Sequence, residues 1–456
     1  MLIYFSVENF KSIKHKLELD MRTAPRLRRL PHHAYTVPKN KSLKLLRSAV
    51  MYGANASGKS NVIKAMRAAQ VKVTGDTNGA HLGKIEPFLL GDELSDETTF
   101  QFEFMSSDNH FAYGFSIQNG QINSEYYYYL SKNTDFCFFE RTRNSDGEFE
   151  IRTDIEADEY YQEEDIEDLI RLIKYCPDDT LFLNECEEKQ YYQKIDSIGS
   201  VFLPVIYFFF VQLIIIFPTT TYGEHGKDLT QEDRDSKYLD LISKFDTGIS
   251  EIKATNVELS KFPEKLIEHA KKHLDDRERS SINITYNDQD FRFEYSSTDP
   301  KELIASKLIS VHKLKSGKEI MFELSQESDG TKRLMDLLPA LACHDIDEED
   351  GIRANFTFVI DEFDRSLHPN ISRKFLDLFL NKNHDTSENQ LIVTTHESSL
   401  LDSKLLRRDE VWFVQKEYDQ STTLYSLNDY SPRFDKDIRS AYLSGTFGAI
   451  PNFKRW

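Results

Sequence analysis

Residues 53–61, Gly-Ala-Asn-Ala-Ser-Gly-Lys-Ser-Asn, constrain the fold of this chain more than any other stretch. The spacing Gly-x-x-x-x-Gly-Lys-Ser lies between an apolar run at 43–52 and a segment of helical periodicity at 61–71. It therefore reads as a strand, a tight loop and the start of a helix. Gly53 and Gly58 let the backbone double back, so that the N–H groups of Ala54, Asn55, Ala56 and Ser57 converge on an anion. Lys59 carries a point charge to phosphate oxygens, and the Ser60 hydroxyl is a ligand for Mg²⁺. The helix expected to begin near Gly58 runs on through Asn61, and its positive dipole end adds to the field. The pattern predicts a bound nucleotide, ATP, together with Mg²⁺.

A second segment supplies what such a loop needs from elsewhere. In Asn-Phe-Thr-Phe-Val-Ile-Asp-Glu-Phe-Asp-Arg-Ser-Leu-His-Pro, 355–369, a buried-type strand ends in Asp361 and Glu362. Ligands collect at the C-terminal ends of strands in parallel α/β sheets. Asp361 is placed to hold Mg²⁺ directly or through water, and Glu362 to orient or deprotonate an attacking water. The alternative is an ordinary exposed Asp-Glu pair at a strand end. A further apolar strand within 389–401 ends in Thr394, Thr395 and His396. His396 is a candidate γ-phosphate contact, or else a helix cap. Ser328, Asp329, Gly330 and Thr331 begin an apolar-periodic helix, where N–H groups form either another anion site or a plain N-cap.

At 456 residues the chain predicts two or three structural units. The first 150 residues read as β-rich around the phosphate loop. Residues 151–300 change to acidic helical segments, with a hairpin over 281–297. From 301 to 456, strands and helices alternate as in an α/β domain with a largely parallel sheet. The net charge of −19 argues against generic coating of nucleic acid. A local exception is 21–47, with eight Lys or Arg and no Asp or Glu: a solvated loop, or a docking surface for nucleic acid or an acidic protein. The scattered Cys137, Cys176, Cys186 and Cys343 form no Cys-x-x-Cys pair, which disfavours zinc and a disulfide framework and fits a reducing cytoplasm. The N-terminus has no signal-peptide architecture. Residues 201–218, VFLPVIYFFFVQLIIIFP, approach the length of a bilayer span. Pro204 and Gln212 interrupt them, so a buried helix running into a β-branched strand is expected in place of a membrane anchor.

The order of these pieces resembles the ABC-type ATPase heads of SMC, Rad50, RecF and OLD proteins: phosphate loop, long interruption, Ser-x-Gly helix, Asp-Glu strand and switch histidine. The resemblance implies an α/β head with a mixed sheet in two lobes, 1–150 and 301–456, split by a helical and β insertion at 151–300. It implies that Ser328 and Gly330 contact the γ-phosphate bound to another subunit. Asp364 and Ser366 would lie in the D-loop, and His396 would be the switch. The opening Val-Glu-Asn-Phe-Lys-Ser-Ile implies that Lys11 and Ser12 border the nucleotide. The chain departs from the family signature at Asp329, in place of a glycine, and at Thr331, in place of Gln or Glu. No glutamine is assignable to the loop that links the lobes.

Together with the tail Tyr-Leu-Ser-Gly-Thr-Phe-Gly-Ala-Ile-Pro-Asn-Phe, 442–453, the motifs are similar to the AAA15 or RloA-like ATPases of prokaryotic defence loci, and within these to the ATPases of PARIS anti-phage systems. That resemblance implies a homodimer of heads, or a higher homo-oligomer. It implies a separate TOPRIM-type nuclease effector and a phage-encoded trigger protein, without a membrane partner. Tyr, Phe and acidic residues at 122–168 are a candidate partner surface, or simply core. Two alternatives carry different expectations. A RecF- or Rad50-like repair ATPase would bind DNA in an ATP-dependent, salt-sensitive way, and a transporter-type motor would need a membrane partner.

Overall fold

A computed structural model describes residues 1–25, 27–76, 84–91, 95–132, 134–155, 161–191, 198–219, 240–275, 281–287, 289–296, 302–342, 355–381, 389–430 and 437–451. Arg26, Cys343 and the last two residues of the 442–453 tail lie outside the described residues. In chain order the strands begin with β1 (Leu2–Glu8), β2 (Leu17–Asp20), β3 (Ala34–Thr36), β4 (Lys44–Leu46) and β5 (Ser48–Tyr52), and helix α1 (Lys59–Thr74) follows. Next come β6 (Glu97–Ser106), β7 (Asn109–Gln118), β8 (Gln121–Leu130), β9 (Phe136–Arg143), β10 (Phe149–Arg152) and β11 (Leu213–Ile216). Then follow β12 (Ile249–Val257), β13 (Ser281–Tyr286), β14 (Gln289–Tyr295), β15 (Leu303–Lys313) and β16 (Glu319–Glu323). The last are β17 (Thr357–Ile360), β18 (Gln390–Thr394), β19 (Val411–Lys416) and β20 (Thr422–Ser426). The chain forms two compact units, one from Met1–Phe217, Ile346–Phe363 and Leu380–Trp456, the other from Pro218–Asp345 and Asp364–Phe379.

The first unit is a mixed α/β body with two large sheets. A six-stranded sheet runs β11-β17-β18-β5-β19-β20, parallel throughout except for β20, which returns antiparallel to β19. Its register places the strand ends level: Val50 opposes Val393, which opposes Ile360, which opposes Ile216. The residues that follow β5, β17 and β18 therefore emerge together at one edge, as parallel α/β sheets arrange their ligand sites. A seven-stranded antiparallel sheet runs β10-β9-β8-β7-β6-β1-β2. Both sheets and α1 share one core, in which Ala65, Met66, Ala69 and Val73 meet Phe100, Phe102 and Phe104. The buried Gln390 side chain stitches the sheets, accepting from the Leu2 N–H and donating to the Leu2 and Leu46 carbonyls. Such an amide satisfies backbone groups that the junction of two sheets would otherwise bury unpaired.

The apolar segment at 201–218 folds as the sequence predicts, and Pro204 opens its helix. A helix at Leu203–Tyr207 and a π-turn at Phe208–Gln212 lead into β11, an edge strand of the parallel sheet. At that change of geometry the Gln70 amide of α1 donates to the Phe209 and Leu213 carbonyls. No helix among the described residues is long and apolar enough to cross a membrane. Of the aromatic run in β8, Tyr127 is fully buried, while Tyr126 and Tyr128 are partly exposed.

The second unit holds an antiparallel sheet, β12-β15-β14-β13 with β16 also on β15. A helix at Glu264–Asp275 contributes Ala270 and Leu274 to a small core with Phe262, Phe291 and Phe293. The hairpin expected over 281–297 is β13 and β14. The parallel α/β alternation expected from 301 onward holds only after 355. β15 and β16 are antiparallel and pair within this sheet, because a short Gly-containing turn at 314–318 joins them where a crossover helix would be needed.

Candidate functional site

β5, wholly buried, delivers the chain into the phosphate loop, and α1 begins at Lys59 with Gly58 as its N-cap. Gly58 adopts φ +106° without a side-chain cap, which leaves the first N–H groups of α1 to serve an anion. A Cβ on Gly58 would lie 2.1 Å from Thr422 Oγ1. Gly53 answers to a different constraint from the one expected: it has no left-handed φ, but a Cβ there would lie 2.4 Å from the Val414 carbonyl oxygen. Its glycine is required by close approach to β19, and the left-handed conformation falls instead on Ala56 and Gly58. Lys59 is 6 % exposed, and its ammonium donates to the carbonyls of Gly53 (2.8 Å) and Ala54 (3.1 Å). The cation is thus fixed onto the loop it serves.

The carboxylate end meets this loop across 301 residues of sequence. Asp361 follows β17 and is 3 % exposed. Its Oδ1 accepts from Ser60 Oγ at 3.2 Å and from Thr394 Oγ1 at 2.6 Å. Two cis oxygen ligands of an octahedral Mg²⁺ with ~2.1 Å bonds would stand about 3.0 Å apart, so the Ser60 and Asp361 oxygens suit such an ion. Glu362 sits at φ +47°, a left-handed conformation that costs a residue with a Cβ on the order of 1–3 kcal/mol. Its backbone is held there by N–H donation to Thr394 Oγ1 at 2.8 Å, and the next N–H, of Phe363, reaches the Thr394 carbonyl at 2.9 Å. Thr395 pairs its N–H with the Met51 carbonyl at 3.0 Å, and the exposed His396 follows directly.

Local sequence pattern gives Thr394 no role of its own, although it shows the residue at the polar end of an apolar strand. One hydroxyl donates to the Asp361 carboxylate and accepts from the Glu362 backbone, so it positions both acidic residues. A hydrogen bond to a charged group contributes about 1.5–3 kcal/mol. Thr394→Val is therefore expected to destabilise the fold by about 1.5–3 kcal/mol, read as a lower melting temperature in thermal unfolding.

Lys11 and Ser12, expected to border the nucleotide, lie in the turn after β1. Lys11 pairs with Glu86 at 2.6 Å, and donation from Lys11 and then Lys84 holds the Glu86 carboxyl down to about 2. The Lys11 ammonium is thus committed to a carboxylate of the same chain. Ser12 contacts Asn61 and Thr422. Within the basic stretch, Arg22 pairs with Asp20 and Glu103, and Lys39 donates to the Ser107 carbonyl and to Asn109. Arg47 is buried, donating to the His32 and Leu380 carbonyls, and burial lowers its pKa to about 10 against the opposing pull of Glu410. Part of that charge therefore serves the fold.

Ser328, Gly330, Asp364 and Ser366 belong to the second unit. Ser328 Oγ accepts from the Thr331 N–H at 3.1 Å and so caps the helix Asp329–Ala342. A Cβ on Gly330 would lie 2.8 Å from the Ser366 carbonyl, and Ser366 itself adopts φ +61°. The glycine lets the segment after Asp364 approach the helix start. Behind it, Glu327 accepts from Ser310 and from His312 (2.7 Å) of β15, which ties the helix start to the sheet.

One family profile, described as "AAA domain, putative AbiEii toxin, Type IV TA system", matches residues 48–168 and 228–402. No curated protein matches the chain. Among solved structures, an SMC head bound to the C-winged helix domain of ScpA is similar at 14% identity and a TM-score of 0.39, covering 93% of this chain and 97% of that one. The SMC head domain of Thermotoga maritima is similar at 13% identity and a TM-score of 0.37, covering 93% and 98%.

Proposed function

The chain belongs to this AAA-domain family, and from that premise we propose that it is an ATP-binding and ATP-hydrolysing switch. The observation that carries the proposal is the Ser60–Asp361 hydrogen bond, which joins a phosphate loop to a strand-end carboxylate. In this reading residues 53–61 cradle the phosphates, and Ser60 and Asp361 hold Mg²⁺. Bound Mg²⁺ supplies charge neutralisation on the β- and γ-phosphates. Glu362 orients or deprotonates the attacking water, and His396 senses the γ-phosphate.

The finer reading is an ATP-gated scaffold of an anti-phage system. ATP acts as a conformational ligand, and its differential affinity for two states of a homo-oligomer binds or frees a separate TOPRIM-type nuclease when a phage protein triggers it. Its support is the sequence resemblance to defence ATPases. The net charge of −19 and the internal pairing of Arg22, Lys39 and Arg47 weigh against a DNA-binding repair ATPase. The test is to isolate the tagged protein from its native host with ATP present, beside Glu362→Gln. A stoichiometric nuclease supports the scaffold; DNA alone, released by high salt, moves the reading to the repair ATPase.

Signature residues acting in trans make a separate prediction. Ser328→Arg retains ATP binding and loses hydrolysis, whereas Lys59→Ala loses both. Mixing equal amounts of Ser328→Arg and Lys59→Ala protein makes half of the dimers mixed, each with one intact composite site of two, and is expected to restore about a quarter of wild-type activity. Mixed proteins that recover nothing contradict the trans arrangement.

A further inference from the structure

We propose that Thr422, at the start of β20, is a positioning residue of the phosphate loop, acting through a one-way chain of hydroxyls that begins on α1. The inference rests on the nucleotide-binding reading above. Asn61 Nδ2 lies 2.7 Å from Ser12 Oγ, Ser12 Oγ lies 2.8 Å from Thr422 Oγ1, and Thr422 Oγ1 lies 2.9 Å from the Ser57 carbonyl oxygen. The Ser57 carbonyl can only accept, so the single Thr422 hydrogen points to it. The Ser12 hydrogen must then point to Thr422, and the Asn61 amide must donate to Ser12. Only this assignment uses all three contacts.

The end of the chain matters most. Ser57 C=O and Gly58 N–H belong to one planar trans peptide, so they point in opposite directions. Pinning the carbonyl to Thr422 on one side turns the Gly58 N–H to the other. An anion-binding loop needs this polarity, with N–H groups inward and carbonyls away from the phosphates. A backbone bond from the Thr422 N–H to the Ser12 carbonyl (2.7 Å) fixes the strap itself. Thr422 sits so close against the loop that a Cβ on Gly58 would fall 2.1 Å from its Oγ1. Ser12 therefore spends its hydroxyl hydrogen on the loop's support, which gives it a use distinct from touching the nucleotide.

The experiment measures ATP affinity by fluorescence titration, together with KM and kcat, for wild type, Thr422→Val, Thr422→Ser, Ser12→Ala and the Ser12→Ala/Thr422→Val pair. Thr422→Val keeps the shape and removes the hydroxyl; it is expected to weaken ATP binding about tenfold, the equivalent of about 1.4 kcal/mol, with the loss falling on KM before kcat. Thr422→Ser restores the hydroxyl and recovers affinity to within about twofold. Because both residues act through one chain, the double variant loses less than the product of the single losses. Ser12→Ala, in a partly buried turn outside the sheet, keeps the proposal testable if Thr422→Val fails to fold. Wild-type affinity in both Thr422→Val and Ser12→Ala, or strictly multiplicative losses, overturns the relay and leaves nucleotide binding intact. A wild type that binds no ATP overturns the nucleotide reading itself.

Discussion

Lys59→Ala is expected to lose ATP affinity by roughly a hundredfold, the equivalent of about 3 kcal/mol for a lost charge-assisted contact. Two effects add. The variant removes the cation that would neutralise the β- and γ-phosphates. It also removes the donor that satisfies the Gly53 and Ala54 carbonyls, leaving two loop acceptors without that partner. A thermal-unfolding series with added ATP reads the result. At a nucleotide concentration of 100 times the wild-type Kd, binding adds about 2.7 kcal/mol to wild-type stability but only about 0.4 kcal/mol once affinity has fallen a hundredfold. The melting temperature of wild type should therefore rise on adding ATP and that of Lys59→Ala should barely move. Equal shifts in both proteins contradict the assignment of residues 53–61.

Glu362→Gln is expected to separate binding from chemistry. The glutamine is close in shape to the glutamate, and the contact that anchors this left-handed position comes from the backbone N–H to Thr394, which the substitution leaves in place. Nucleotide affinity should stay within about threefold of wild type. A positioned general base contributes on the order of 10²–10⁴ in rate, so hydrolysis should fall by at least about a hundredfold. Single-turnover phosphate release measures this without interference from product dissociation. A Glu362→Gln protein that releases phosphate at the wild-type rate removes Glu362 from the chemistry, and attention would pass to His396.

The part of the site written in short-range pattern was legible beforehand. The strand, loop and helix around 48–74 follow from local spacing, and the apolar run before Asp361 announces a core strand. The helix-to-strand change at 203–216 was legible because Pro204 and the β-branched run at 214–216 act locally. The supports of the site were not legible. Thr394 touches Asp361 from 33 positions away, and Thr422 reaches Ser57 from 365 positions away. A threonine at a strand terminus carries no local mark of such a contact. The same limit explains Gly53, whose constraint is the Val414 carbonyl of another strand, and β15–β16, where only sheet partners distinguish an antiparallel hairpin from a strand of the parallel sheet. The resemblance implies a place for Lys11 beside the nucleotide; its pairing with Glu86, 75 positions away, appears only in three dimensions.

The proposed function puts ATP binding, with Mg²⁺, and hydrolysis in one site built from residues 53–61, Asp361 and Glu362. The most direct measurement incubates Glu362→Gln with Mg²⁺ and ATP, removes free nucleotide by gel filtration, and identifies and counts what stays bound. One unhydrolysed ATP per chain is expected, lost on chelating Mg²⁺ and absent when Lys59→Ala is added to the same protein. Retention of ADP in place of ATP, or equal retention with and without Lys59, contradicts it.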